Sequence, residues 1–128
     1  MVWRHLLPSI LWTALILFLY AIPGGNLPGQ DFLEIIPLDK LAHFVFFMVY
    51  ALILNVGIAK QINIPRVSLR ASVFTVIWCV LFGSTLEMIQ GTVFVDRTTD
   101  IMDLITNILG SIVGVVIFKV VYGHLSAR

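Results

Sequence analysis

Residues 101–122 have the sequence IMDLITNILGSIVGVVIFKVVY, an almost uninterrupted apolar segment. A helix of about this length crosses roughly 30 Å of hydrocarbon at about 1.5 Å per residue. Three further apolar segments, at about 6–22, 41–59 and 71–89, have a similar composition. Because backbone hydrogen bonds must close within each segment in lipid, all four are expected to be helices. The sequence therefore predicts an all-α, integral membrane four-helix bundle.

The composition of the whole chain supports this class. Of its 128 residues, 59% are hydrophobic and 12% are charged, too few charges for the polar surface of a soluble domain of this size. The net charge of +1 creates no field that attracts nucleic acid, so the lipid bilayer is the expected partner. The single cysteine excludes an intramolecular disulfide framework. At this length, one membrane domain over residues 1–128 is the simplest organisation.

The loops indicate the orientation. The 60–70 loop contains Lys60, Arg66 and Arg70 and no acid, whereas the 23–40 and 90–100 loops have more acidic than basic residues. Basic loops favour the cytoplasm, so we expect a multi-pass protein of the cell membrane with both termini cytoplasmic. Leu19 stands where a signal-peptidase site would need a small residue, so the first helix is expected to be retained. Aromatic residues near the segment ends are expected to be interfacial anchors: Trp3, Trp12, Tyr20 and Tyr122.

Polar residues gather at the predicted outer ends of three helices. They are Asp39, Lys40 and His43, then Glu87 and Gln90, then Arg97, Asp100, Asp103 and Asn107. Ionisable groups within a membrane span are costly and normally face protein or water. We therefore expect these nine residues to form one binding pocket near the outer surface.

Within this set, His43, Glu87 and Asp103 are the candidate catalytic and metal-binding residues, since imidazole and carboxylate groups serve as bases and as ligands of divalent metals. Arg97 suits bidentate binding of a phosphate or carboxylate, and it equally suits an interfacial anchor. The candidate ion pairs are Lys40 with Glu87, and Arg97 with Asp100 or Asp103. A purely structural role is the alternative throughout: His43 as a hydrogen-bonded core residue, and Lys40 as a snorkelling side chain.

Small residues form two further stripes. Gly110 and Gly114 continue the face of Asp103 and Asn107, and their small-xxx-small spacing lets helix backbones approach closely. A similar stripe on the third helix includes Gly83. The simplest packing places these two stripes against each other.

Four sequence blocks resemble the pattern of the VanZ-like membrane proteins in their order and spacing: DKLAHF at 39–44, EMIQ at 87–90, RTTDIMD at 97–103 and NILG at 107–110. The resemblance covers about residues 37–118, and the first helix matches only as a generic span. The family takes its name from a protein associated with teicoplanin resistance in glycopeptide-resistant bacteria. The resemblance implies a bacterial cell-envelope setting, but neither a settled reaction nor a resistance phenotype for this chain.

Two classes of function fit these residues. The favoured one is a binding protein whose outward pocket recognises an amphiphile, such as a lipid head group, a lipid-linked cell-wall precursor or a lipoglycopeptide. The other is a small metal-dependent enzyme acting on a lipid phosphate or ester, with His43 as base, Glu87 or Asp103 on a divalent metal and Arg97 on the anion. An ion-coupled transporter is a third class, and it would require an oligomer because four helices leave little room for alternating access.

Overall fold

The computed structural model describes residues 3–21, 38–61, 69–93 and 99–126, and these ranges contain helices and no strand. Helix α1 spans Leu7–Tyr20, α2 spans Leu38–Gln61, α3 spans Leu69–Val93 and α4 spans Ile101–Ser126. The predicted all-α bundle of four helices is confirmed. Helices α2 and α3 extend beyond the predicted limits at both ends, because their polar terminal residues continue the helix instead of ending it.

Three of the helices are long and apolar enough to cross a membrane: Asp39–Gln61, Leu69–Val93 and Ile101–Gly123. The chain is therefore a membrane protein. Helix α1 has 14 residues and measures about 21 Å at about 1.5 Å per residue, which is less than the roughly 30 Å of a hydrocarbon core. The fourth crossing stays a prediction, since residues 22–37 lie outside the described ranges.

Helix α2 runs antiparallel to both α1 and α3. Along α1, Thr13 Oγ1 lies 3.1 Å from Tyr50 Oη, and the later Tyr20 reaches the earlier His43. Helices α2 and α3 are also antiparallel. Asn55, late in α2, contacts Thr75, early in α3, whereas His43, early in α2, lies beside Glu87, late in α3. The ends of α1 and α3 therefore lie at the same level as the start of α2.

Helix α4 runs parallel to α2 and contacts it backbone to backbone. A Cβ atom added at Gly110 would collide with the carbonyl oxygen of Phe44, and one added at Gly114 would collide with that of Met48. The contact advances by four residues on both helices. The expectation that these glycines face α3 is wrong: the groove that they leave is filled by the backbone of α2.

Helix α3 packs on a neighbouring part of the same α4 face. A Cβ added at Gly83 would lie 3.3 Å from Asn107 Nδ2 and 3.3 Å from the ring of Phe47. Both contacts are with side chains, so the α3 backbone stays further from α4 than the α2 backbone does. Gly83 makes room for an asparagine, whereas Gly110 and Gly114 make room for a helix.

A buried polar group joins α2 to α3, and its central residue, Asn55, was not predicted from the sequence. Asn55 is fully buried; its Nδ2 donates to Ser72 Oγ at 3.4 Å, and its Oδ1 lies 3.2 Å from Thr75 Oγ1. Hydrogen bonds of this kind join helices in lipid, where water cannot satisfy the polar groups. Large apolar side chains point outward instead, as Phe74 and Leu81 do on α3.

Candidate functional site

The antiparallel and parallel registers bring four helix ends together. Helices α1 and α3 end where α2 and α4 begin, so residues distant in sequence lie at one level of the bundle. The polar cluster, as we call this group, consists of Tyr20, Asp39, Lys40, His43, Glu87, Asp100, Asp103 and Asn107. All of its members except Tyr20 belong to the predicted binding set. Arg97, which also belongs to that set, lies outside the described residues.

His43 is the centre of the polar cluster and is only 4% exposed. Its Nδ1 atom lies 2.5 Å from Tyr20 Oη and 3.1 Å from Asn107 Oδ1. Asn107 Nδ2 also donates to Tyr20 Oη at 3.4 Å. When Nδ1 is protonated it donates to Asn107, and when it is not, the Tyr20 hydroxyl donates to Nδ1. Either way, two neighbouring helices fix the orientation of the ring.

The other ring nitrogen of His43 faces two carboxylates. Nε2 lies 3.6 Å from Asp39 Oδ1, one helical turn earlier on α2, and 3.8 Å from Asp103 Oδ2 on the first turn of α4. The ligand atoms of Asp39, His43 and Asp103 all lie within 4.8 Å of one another, which suits a metal ion. Glu87, which we expected as a metal ligand, lies instead near Nδ1 on the opposite side of the ring.

Lys40 pairs with the acids at the start of α4. Its Nζ donates to Asp100 Oδ2 at 2.6 Å and to Asp103 Oδ1 at 2.9 Å. The predicted pair of Lys40 with Glu87 is therefore wrong. Lys40 stands one turn before Phe44, whose backbone lies against Gly110, so its side chain extends along α4 and away from α3.

Asp100 caps α4 at the rim of the polar cluster. Its Oδ1 accepts a hydrogen bond from the Met102 N–H at 2.8 Å, while Oδ2 accepts from Lys40. The hydrogen bond from Lys40, followed by the one from Met102, holds the pKa of the Asp100 carboxyl below its usual range. Asp100 and Lys40 therefore form a charged rim, and the deeper positions belong to His43 and Glu87.

Glu87 is the least satisfied member of the polar cluster. Its residue is 2% exposed, and neither carboxylate oxygen accepts a hydrogen bond from the described residues. His43 Nδ1 lies 3.8 Å from Glu87 Oε1. Burying a carboxylate without donors is costly. The position therefore suits a proton, a cation or the donor group of a ligand.

Two residues lie differently from the prediction. Tyr20, predicted to be an interfacial anchor, is buried at 7% exposure with its hydroxyl in the polar cluster. Gln90 is also buried but does not touch His43; its Nε2 donates to the Tyr20 carbonyl oxygen at 3.5 Å, at the end of α1. The position of Tyr20 in the polar cluster could have been predicted only from an antiparallel packing of α1 and α2. That packing places the last turn of α1 beside the first turn of α2.

Comparison with known sequences gives a family match. The profile of the VanZ/LLP1 family matches residues 3–122, which include α1 as well as the four motif blocks. Neither a curated protein nor a solved structure gives a significant match to the chain.

Proposed function

The chain belongs to the VanZ/LLP1 family, and from that premise we propose that it is a membrane protein whose polar cluster binds the head group of an amphiphilic envelope component. The observation that carries the proposal is Glu87, a buried carboxylate whose two oxygens lack hydrogen-bond donors among the described residues. An unpaired carboxylate at this depth costs stability. A ligand that supplied donors would offset this cost at the moment of binding.

Apolar surface beside the polar cluster favours an amphiphile over a water-soluble ligand. Met88, next to Glu87 in α3, is 67% exposed, and Ile101 at the start of α4 is 72% exposed. A molecule with acyl or prenyl chains can leave those chains in the bilayer against such side chains while its polar end enters the cluster. A fully polar ligand gains nothing from that surface.

The charge of the polar cluster favours certain head groups. Among the described residues, the polar cluster contains the four carboxyl groups of Asp39, Glu87, Asp100 and Asp103 and one lysine, Lys40, which pairs with two of them. A bare phosphate would meet net negative charge here. Ammonium and hydroxyl groups fit, because both donate hydrogen bonds to carboxylates. The proposed ligands are thus amphiphiles that carry amino or sugar hydroxyl groups, and a lipid-linked precursor or a lipoglycopeptide meets this description.

The test compares two lipids with the same acyl chains, one with an ethanolamine head group, which donates N–H hydrogen bonds, and one with a choline head group, which has no N–H or O–H donor. The full chain in detergent should melt at a higher temperature with the ethanolamine lipid, and Glu87→Gln should abolish that difference because it keeps the shape and removes the charge. Thr85→Ala is the matched control, since Thr85 is exposed on the same helix and its hydroxyl bonds only within α3, to Leu81. Equal stabilisation of parent and Glu87→Gln would contradict the proposal.

The proposal also places the polar cluster at the outer membrane face, following the basic 60–70 loop. A cysteine at Asn26 or Thr92 should react with an impermeant thiol reagent in intact cells, whereas a cysteine at Asn63 should not. The native Cys79 is fully buried and contributes little background. The opposite labelling pattern would reverse the orientation.

A further inference from the structure

We propose that Asp39, His43 and Asp103 form a binding site for a divalent transition-metal ion, with Asp39 Oδ1, His43 Nε2 and Asp103 Oδ2 as the ligands. This site lies within the polar cluster and goes beyond the proposed head-group binding. It uses the Nε2 side of the imidazole, whereas Glu87 stands on the Nδ1 side.

The distances around Nε2 leave room for an ion shared by the imidazole and the two carboxylates. Asp39 Oδ1 and Asp103 Oδ2 lie 3.6 Å and 3.8 Å from Nε2, beyond the roughly 3.2 Å limit of a normal N–H···O contact. Ligands about 2.0–2.1 Å from a tetrahedral zinc are about 3.3–3.4 Å apart. The three ligand atoms lie within 4.8 Å of one another, so a contraction of at most about 1.5 Å would place them around one ion.

The ligands are held by contacts on their far sides, as metal ligands commonly are. His43 Nδ1 lies 3.1 Å from Asn107 Oδ1, and a proton there leaves the Nε2 lone pair free for a metal. The second oxygen of Asp103 accepts a hydrogen bond from Lys40 at 2.9 Å. Lys40 thereby orients the Asp103 carboxylate without occupying Oδ2.

The two carboxylates beside His43 Nε2 favour a positive charge between them and the imidazole. A neutral imidazole with its Nε2 lone pair facing two carboxylates is unfavourable unless a proton or a metal ion stands between them. Glu87 Oε1 lies 3.8 Å from Nδ1 of the same ring. Lys40 Nζ pairs with Asp100 Oδ2 and with Asp103 Oδ1, so it does not lie between Nε2 and the carboxylate oxygens that face it.

The ligand set selects the class of metal. One imidazole and two carboxylates suit Zn²⁺, Mn²⁺ or Fe²⁺, and the absence of a thiolate among the three ligands disfavours Cu⁺. Three protein ligands also leave at least one coordination position for water or another ligand. The Asp39 side chain is 53% exposed, so this open position is accessible from the cluster rim.

The test uses the full chain, stripped with EDTA and titrated with Zn²⁺, and with Co²⁺ as a spectroscopic probe. We expect about one ion per chain and the intense visible absorption of tetrahedral cobalt. Asp39→Asn should weaken zinc binding at least about tenfold, since even the outer-shell partners of metal ligands contribute about 10–100-fold. Thr85→Ala is the control, because Thr85 is exposed on α3 and its hydroxyl donates to the Leu81 carbonyl oxygen of the same helix, so the zinc affinity of this variant should equal that of the parent.

Further variants make the result decisive. Asp103→Asn should also lose the metal, and if it fails to fold, Asp39→Ala at the half-exposed position replaces it. Glu87→Gln should retain zinc even where head-group binding is lost, which separates this proposal from the proposed function. No zinc or cobalt binding by the parent would overturn the site and leave a proton in its place. Equal binding by the parent and Asp39→Asn, or a loss confined to Glu87→Gln, would also overturn it.

Discussion

Replacing Gly110 by alanine tests the direct contact between α2 and α4. The added Cβ would collide with the Phe44 carbonyl oxygen and would lie 3.0 Å from Phe44 C and 3.1 Å from Met48 N. These are backbone atoms of a helix, so they cannot rotate away as a side chain can. The two helices must separate, and the contact at Gly114, one turn along, is disturbed with them.

The magnitude follows from two opposing effects. Overpacking typically costs about 1–3 kcal/mol, and a collision with backbone belongs at the upper end of that range. Alanine also favours a helix over glycine by about 1 kcal/mol. We therefore expect Gly110→Ala to reduce the free energy of unfolding by about 2 kcal/mol, and Gly110→Leu to prevent stable folding.

Thermal or denaturant unfolding in detergent measures the effect, and Gly123→Ala is the control. Gly123 lies on the same helix, and a Cβ added there would have no neighbour within 4 Å, so this variant should be as stable as the parent or slightly more stable. If Gly110→Ala behaves like Gly123→Ala, the backbones of α2 and α4 are not in contact and the packing described above is refuted.

Two further predictions follow from the polar contacts. Asn55→Ala should destabilise the bundle by about 1–2 kcal/mol in the same unfolding assay, because it removes the hydrogen bonds that join α2 to Ser72 and Thr75 of α3; an unchanged midpoint would contradict this. The lowered pKa of Asp100 means that its contribution to stability is present above the unfolded-state value of about 3.9 and is lost as pH falls through the lower folded-state pKa. Asp100→Asn should therefore melt below the parent near neutral pH and approach it as the pH falls below about 4; a constant difference across that range would contradict the linkage.

The helices were predictable from sequence because lipid imposes a simple rule: each apolar segment must satisfy its own backbone. The partner of the glycine stripe was not predictable, since spacing at Gly110 and Gly114 indicates a close approach without naming the other helix. Hydropathy also carries no information on whether α2 and α4 run side by side. That pairing depends on tertiary contacts.

Most of the polar cluster was predictable from the depth of its residues in the membrane, because an ionisable group within a span has to face protein or water. His43, Glu87 and Asp103 all meet there. Tyr20 was not predicted to belong to the cluster, since a tyrosine at the end of a membrane helix is commonly an interfacial anchor. Lys40 was predicted to pair with Glu87 instead of Asp100 and Asp103, because the sequence does not tell which of several carboxylates a long side chain reaches.

The parallel contact of α2 and α4 has a consequence for how the chain tolerates change in length. On α4, Asp103 and Asn107 share one helix face with Gly110 and Gly114, so the glycines that fit the α2 backbone also fix where those polar groups point. Inserting one residue between Asn107 and Gly110 would rotate the two sets apart by about 100°, and no compensating substitution would restore both. This part of α4 therefore has to keep its residue count for both sets of contacts to form.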